Sequence, residues 1–267
     1  MLILGPSLLA LALSFTDFRL GIQDFRWVGI ENYRGLASEA GLRQSILNTI
    51  IFVAVVAPIS IFGALWVAIL IAGLGRLGAF FQTTFFLPVT ATLVAMATAW
   101  EVLLHPTFGI ANSLLTALGF EPQRFLSDPD LALWTLALIA IWKMLGYNVL
   151  LFLAGLSTID PRLYEAATLD GAASGWKRFV LVTRPMLAPV MLFVTVITLI
   201  RAFSEFELVA VLTNGGPDGA TEMVLFTLYQ EAFRFFDIGK AAALAVFFLA
   251  VVMTISVLQI KLADKRA

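Results

Sequence analysis

Asp160-Pro161-Arg162-Leu163-Tyr164-Glu165-Ala166-Ala167-Thr168-Leu169-Asp170-Gly171-Ala172 lies between two long apolar segments, and its reading decides how the rest of the chain is understood. Asp160 suits a helix N-cap, because its carboxylate can accept from the free backbone N–H groups of the first turn. Pro161 suits the first helical position, where its missing N–H would be unpaired in any case. Leu163 to Thr168 continue for one or two turns. Gly171 accepts the positive φ that ends many helices. A second short helix is expected from Ala173 to Leu181, with Pro185 marking the start of the next apolar segment. The stretch thus predicts two short helices joined at Gly171 and projecting from an apolar body. Small Ala166 and Ala167 would let a partner surface come close. Composition and capping alone leave two readings open: a plain connector between two spans, or a docking element.

The body on either side is too apolar to be soluble. Hydrophobic residues make up 60% of the chain, charged residues 13%, and the mean hydropathy is +0.95. A soluble domain has about 45–50% apolar and about 25% charged residues. The net charge of −1 gives no electrostatic footprint for nucleic acid. The absence of Cys excludes disulfides and thiolate metal sites, and the single His105 cannot form a histidine cluster, so no metal is expected. No G-x-x-x-x-G-K-[ST] is present, so the chain carries no P-loop and no ATP site of its own.

Apolar segments are expected at Met1–Phe15, Ile46–Ala72, Phe80–Leu104, Leu131–Leu156, Leu187–Leu212 and Gly239–Ile260. All but the first reach the roughly 17–25 residues that a crossing helix needs. The chain therefore predicts an all-α integral membrane protein with six transmembrane helices. Its parts are a first helix over 1–16, expected to lack its opening residues, a loop over 17–45, a core over 46–260 and a tail over 261–267. The first segment has neither the basic flank nor the cleavage site of a signal peptide. Pro58 and Pro88 fall inside spans, where neighbouring helices can re-satisfy freed backbone groups. The polar segment 213–238 opens on Asn214-Gly215-Gly216-Pro217, a strong turn signal, and continues with Met223–Phe236, apolar but too short to cross. Both termini are expected in the cytoplasm, Lys261–Arg266 directly after the last span being the best single cue.

The Glu165-Ala166-Ala167…Gly171 stretch resembles the E-A-A…G loop of permeases from binding-protein-dependent ABC importers. The likeness extends to Asp170, Trp176, Phe179 and Val182-Thr183-Arg184-Pro185, with one extra small residue between Gly171 and Trp176. Gly29-Ile30-Glu31-Asn32-Tyr33, Asn48-Thr49, Gly109-Ile110-Ala111-Asn112 and Leu153-Ala154-Gly155-Leu156 also fit that family. Leu212-Thr213-Asn214-Gly215-Gly216-Pro217, Ala220-Thr221-Glu222 and Tyr229 with Glu231-Ala232-Phe233 resemble its carbohydrate branch.

The resemblance implies a MetI-like permease fold in a bacterial inner membrane, with 157–185 as a cytoplasmic coupling loop that enters a cleft of an ATPase subunit. Glu165, Ala166, Ala167, Asp170, Gly171 and Pro185 would then be the coupling residues. It also implies an ATP-binding cassette ATPase dimer that binds ATP and Mg, a second homologous permease and an external solute-binding protein. The cargo would be a carbohydrate, with glycerol 3-phosphate or another solute as the alternative. Polar groups inside spans are costly and mark pathways. Tyr147, Asn148 and Thr198 are the first candidates to line the cargo path, with Lys143 and Arg201 next, on the fourth, fifth and sixth spans. Each has interhelical hydrogen bonding as its bland alternative. An ion-coupled secondary transporter would need a buried carboxylate, and only Glu205 and Glu207 qualify. Arg201, one helical turn from Glu205, is expected to neutralise it.

Overall fold

The computed structural model describes residues 4–22, 24–172 and 175–264. It is helical, with only two isolated β-bridges, Thr16↔Trp27 and Arg19↔Asp237, among the described residues. The order is α1 (Leu4–Leu13), α2 (Glu31–Ser38), α3 (Ala40–Ala72), α4 (Arg76–Thr90), α5 (Leu93–Leu103), α6 (Ile110–Ala117), α7 (Pro129–Ser157) and α8 (Pro161–Leu169). Then come α9 (Gly175–Arg178), a π-turn (Phe179–Thr183), α10 (Arg184–Phe203), a second π-turn (Val209–Thr213), α11 (Val224–Phe233) and α12 (Ile238–Asp264).

Four of these helical stretches are long and apolar enough to cross a membrane: Ala40–Ala72, Pro129–Ser157, Gly175–Phe203 and Ile238–Gln259. The bent pair formed by α4 and α5 counts as a fifth. α1 has ten described residues, fewer than the roughly 20 a crossing needs.

The core is built on α3 against α7. Ala57, Ala64 and Ala68 share one face of α3 with Phe52, Val56 and Ile61, and all are buried with Leu136, Ala140 and Val149 of α7. Small side chains let the two backbones approach, which is how helices gain packing contacts where lipid supplies no hydrophobic drive. Gly146 brings α4 onto α7: a Cβ there would run into the Phe85 carbonyl oxygen. Gly155 does the same for α10, where a Cβ would lie 2.9 Å from side-chain atoms of Leu187 and Val190.

Five helix boundaries differ from the sequence expectation. The third span is not one rod: Ala91 and Thr92 are extended, and the helices before and after meet at 102°. The fifth span does not run to Leu212. It ends at Phe203, and residues 204–206 are unwound before the second π-turn. Nor is the second short helix of the coupling loop separate from that span. From Gly175 to Phe203 the helix is continuous across Pro185. Pro185 has no N–H to give, and the preceding turn widens, with Arg184 N–H donating to the Phe179 carbonyl. Ala173 and Ser174, where that helix was expected to begin, lie outside the described residues, as do the final three of the tail. α3 starts at Ala40, inside the expected loop, and α12 continues to Asp264.

Candidate functional site: an exposed elbow and a cavity between broken helices

At one end of the bundle, α8 forms an elbow with α9. The Asp160 carboxylate accepts from Arg162 N–H at 2.9 Å, and Pro161 occupies the first helical position. Gly171 closes α8 with φ +85. Ala172 N–H donates to the Ala167 carbonyl at 2.8 Å and Gly171 N–H to the Thr168 carbonyl at 3.2 Å, the paired bonds of a Schellman ending. Ala167 and Ala172 are both buried, which supplies the apolar contact of that motif. Tyr164 Oη and Thr183 Oγ1 lie 3.1 Å apart and tie α8 to the π-turn beneath it.

Glu165, Ala166, Asp170 and Pro185 are exposed, and so are Leu163, Leu169 and Trp176. Leu169 keeps 89% of its surface open and Trp176 73%, stacked on Phe179, so the elbow presents an apolar surface flanked by carboxylates. Ala167 departs from the expectation. It faces the chain itself, so its small size serves the elbow's own packing, and only Ala166 of the two is open to a partner.

The second feature is a cavity of about 550 Å³. Val89 and Ala91 line it at the α4–α5 break, Lys143, Met144 and Tyr147 in α7, Arg201 in α10, Ser204 to Phe206 in the unwound stretch, and Glu207 just after it. Lys143 is the middle residue of α7, which places the cavity near half the depth of that span. Irregular backbone at such depth is tolerated where protein buries it or where it lines a cavity. None of the lining residues belongs to α12, whereas span three contributes two.

Three of the expected pathway residues meet here. The Arg201 guanidinium lies over the Tyr147 ring, 3.9 Å from its centroid, and Lys143 shares the same wall. Asn148 and Thr198 do not join them. Both are buried, and Thr198 Oγ1 donates to Asn148 Oδ1 at 3.1 Å, bonding α10 to α7. The expected Arg201–Glu205 pair is not formed. The helix stops between them, and the one-turn register that would have paired them is lost. Buried Glu205 instead accepts from Leu208 N–H at 3.1 Å, capping the short turn that follows.

At the opposite end of the bundle from the elbow, three asparagines hold the connecting loops. Asn32 donates to the Ser14 and Thr16 carbonyls at 2.9 and 2.8 Å. Asn48 donates to the Gly219 and Glu222 carbonyls at 3.0 and 2.9 Å, and its neighbour Thr49 accepts from Val224 N–H. Asn112 accepts from Gln123 N–H at 2.8 Å and donates to the Gln123 carbonyl at 2.9 Å. Sequence reading found these residues as motif members without their role. The signal was an amide near the join of a helix and a loop whose backbone carbonyls need donors.

Known proteins resemble this chain in sequence and in fold. The family described as binding-protein-dependent transport system inner membrane component matches residues 37–267. The sn-glycerol-3-phosphate transport system permease protein UgpA of Pectobacterium atrosepticum is 31% identical over 241 residues, covering 90% of this chain and 81% of that protein. The "Probable ABC transporter permease protein YurN" of Bacillus subtilis is 30% identical over 239 residues, covering 88% and 82%. A chain of a bacterial ABC transporter involved in the import of the acidic polysaccharide alginate superposes with a TM-score of 0.83 at 22% identity, covering 99% of this chain and 90% of the other. The same fold, the exposed elbow and a match across 231 of 267 residues (37–267) lead to one assignment: the chain belongs to the inner-membrane components of binding-protein-dependent transport systems, as a multi-pass permease.

Proposed function

We propose that this permease is one membrane subunit of an ATP-driven importer that carries a polyhydroxylated, carbohydrate-like cargo through the cavity between α4, α7 and α10. The observation that carries the reading is that cavity. Its volume falls in the roughly 300–1,000 Å³ range of small-molecule sites. It combines an aromatic ring with N–H donors and carboxylates, the groups that meet the apolar face and the hydroxyls of a sugar. The sugar- and glycerol-phosphate-type relatives support the same cargo class. ATP and Mg act on partner ATPase subunits, a solute-binding protein delivers the cargo, and a second similar permease completes the pathway. Support for the binding protein comes from a relative of the same fold, a bacterial alginate ABC transporter in complex with a pentasaccharide-bound periplasmic protein (TM-score 0.81, 23% identity, 96% of this chain and 87% of that one).

The elbow end faces the cytoplasm in this reading, because that is where an ATPase can meet Glu165, Ala166, Asp170 and Leu169. Both termini lie on that side. The chain has no cysteine, so single cysteines report sidedness without background. A cysteine at Asp170 should stay unlabelled by an impermeant maleimide in intact cells, and one at Asp218 should label. The reverse pattern would overturn the orientation. The function itself is tested by sugar uptake into vesicles holding the complete complex with its binding protein. ATP-independent uptake would sink the reading.

A further inference from the structure

We propose that the cargo carries an oxyanion, a carboxylate or a phosphate on a polyhydroxylated frame, and that Arg201 is the residue that selects it. This deepens the function proposed above and rests on that reading of the cavity. Two cations in the cavity wall make no ion pair among the described residues. Arg201 and Lys143 both line the cavity at membrane depth, where an unpaired charge is costly and marks a functional site. Two carboxylates, Glu205 and Glu207, line the same space, yet neither is within ion-pair distance of either cation. The backbone keeps them apart. α10 ends at Phe203, and the chain turns so that buried Glu205 accepts from Leu208 N–H. Arg201 makes no hydrogen bond among the described residues. Its guanidinium carbon lies 3.9 Å from the centroid of the Tyr147 ring, and both residues line the cavity.

A planar fork held on an aromatic face is suited to two parallel bonds to one oxyanion, geometry that a lysine ammonium cannot reproduce. Lys143 adds a second positive charge to the same wall. Glu205 and Glu207 balance the charge of the cavity from a distance, but a neutral sugar would leave the Arg201 fork with no oxyanion in direct contact. A cargo with one oxyanion supplies it and presents its hydroxyls to the carboxylates.

The test uses the complete importer in vesicles with its own binding protein. The binding protein is titrated with glucuronate as the carboxylate arm, sn-glycerol 3-phosphate as the phosphate arm, and glucose and maltose as neutral sugars. Uptake of the bound compound is then compared between wild type, Arg201→Gln and Arg201→Lys, with copurification of the ATPase showing assembly. An anionic ligand should bind, and Arg201→Gln should lower its uptake by about tenfold or more, the loss expected for hydrogen bonds to a charged group. Arg201→Lys should fall between the two, since it keeps the charge and loses the fork. The arm that responds tells carboxylate from phosphate. A binding protein that takes only neutral sugars overturns the proposal, as does wild-type uptake of the anion by Arg201→Gln. If the Gln variant fails to assemble, the Lys variant decides, and wild-type uptake by it removes the selective role of the fork. A binding protein that takes none of the four, and no other sugar or polyol phosphate, overturns the proposed function instead.

Discussion

Gly171 and Gly146 are both glycines with a reason, and the reasons differ. At Gly171 the backbone has φ +85, and a Cβ would meet nothing within 4 Å. The demand is therefore conformational alone. Gly171→Asn should keep the elbow, because Asn tolerates the left-handed region, while Gly171→Val should strain it by about 1 kcal/mol or more. In reconstituted vesicles, Val should lower ATP-driven uptake and ATPase stimulation while the permease remains inserted, and Asn should retain most of both. At Gly146 the demand is steric. Gly146→Val drives a side chain into the Phe85 carbonyl and should cost about 1–3 kcal/mol of stability. That loss should appear as a lower melting temperature of the purified protein, and an unchanged melting temperature would refute the close contact of α4 and α7. Gly171 was readable in the sequence because local capping chemistry surrounds it. Gly146 was not, since nothing in Met144-Leu145-Gly146-Tyr147 says which helix will lie across it. Ala167 was misread for the same reason: its neighbour Ala172 is supplied by the Schellman turn, and the spacing alone does not show that the two bury each other.

Helices and loops divide in the same way. The apolar segments for α3, α7 and α12 stand out in the sequence because they are long and carry few charges. The unwound stretch at 204–206 does not, because no Pro or Gly occurs between Val190 and Asn214. The break is set by tertiary structure and by Glu205 capping Leu208, so Arg201 and Glu205 look like a helical pair in sequence while the fold separates them. Lys143, Tyr147 and Arg201 could still be picked as site residues, because polar side chains are rare in such segments. The unwound half of the cavity wall could not. The loop ending near Glu222 depends on α3 in a way that sequence spacing hides. Asn48→Ala removes both bonds to the Gly219 and Glu222 carbonyls and should destabilise the 213–223 segment by about 1–3 kcal/mol. Faster proteolysis or hydrogen exchange confined to that segment is the expected result, and uniform protection would contradict it.

At the scale of the molecule, one helix joins the two features described above. Trp176, exposed at the elbow, and Arg201, in the cavity wall, lie on the same unbroken stretch from Gly175 to Phe203. Its 29 residues make a rod of about 43 Å at 1.5 Å per residue. A lever of that length magnifies angles: a tilt of about 5° about one end displaces the other by about 4 Å, more than a hydrogen bond can stretch. The Tyr164–Thr183 bond sits close to the elbow end and acts on the short arm. In the proposed importer, a small rotation forced on α8 at the elbow would therefore be read out as a shift of Arg201 relative to the Tyr147 ring, so an event at the membrane surface would reset the grip on solute at mid-span.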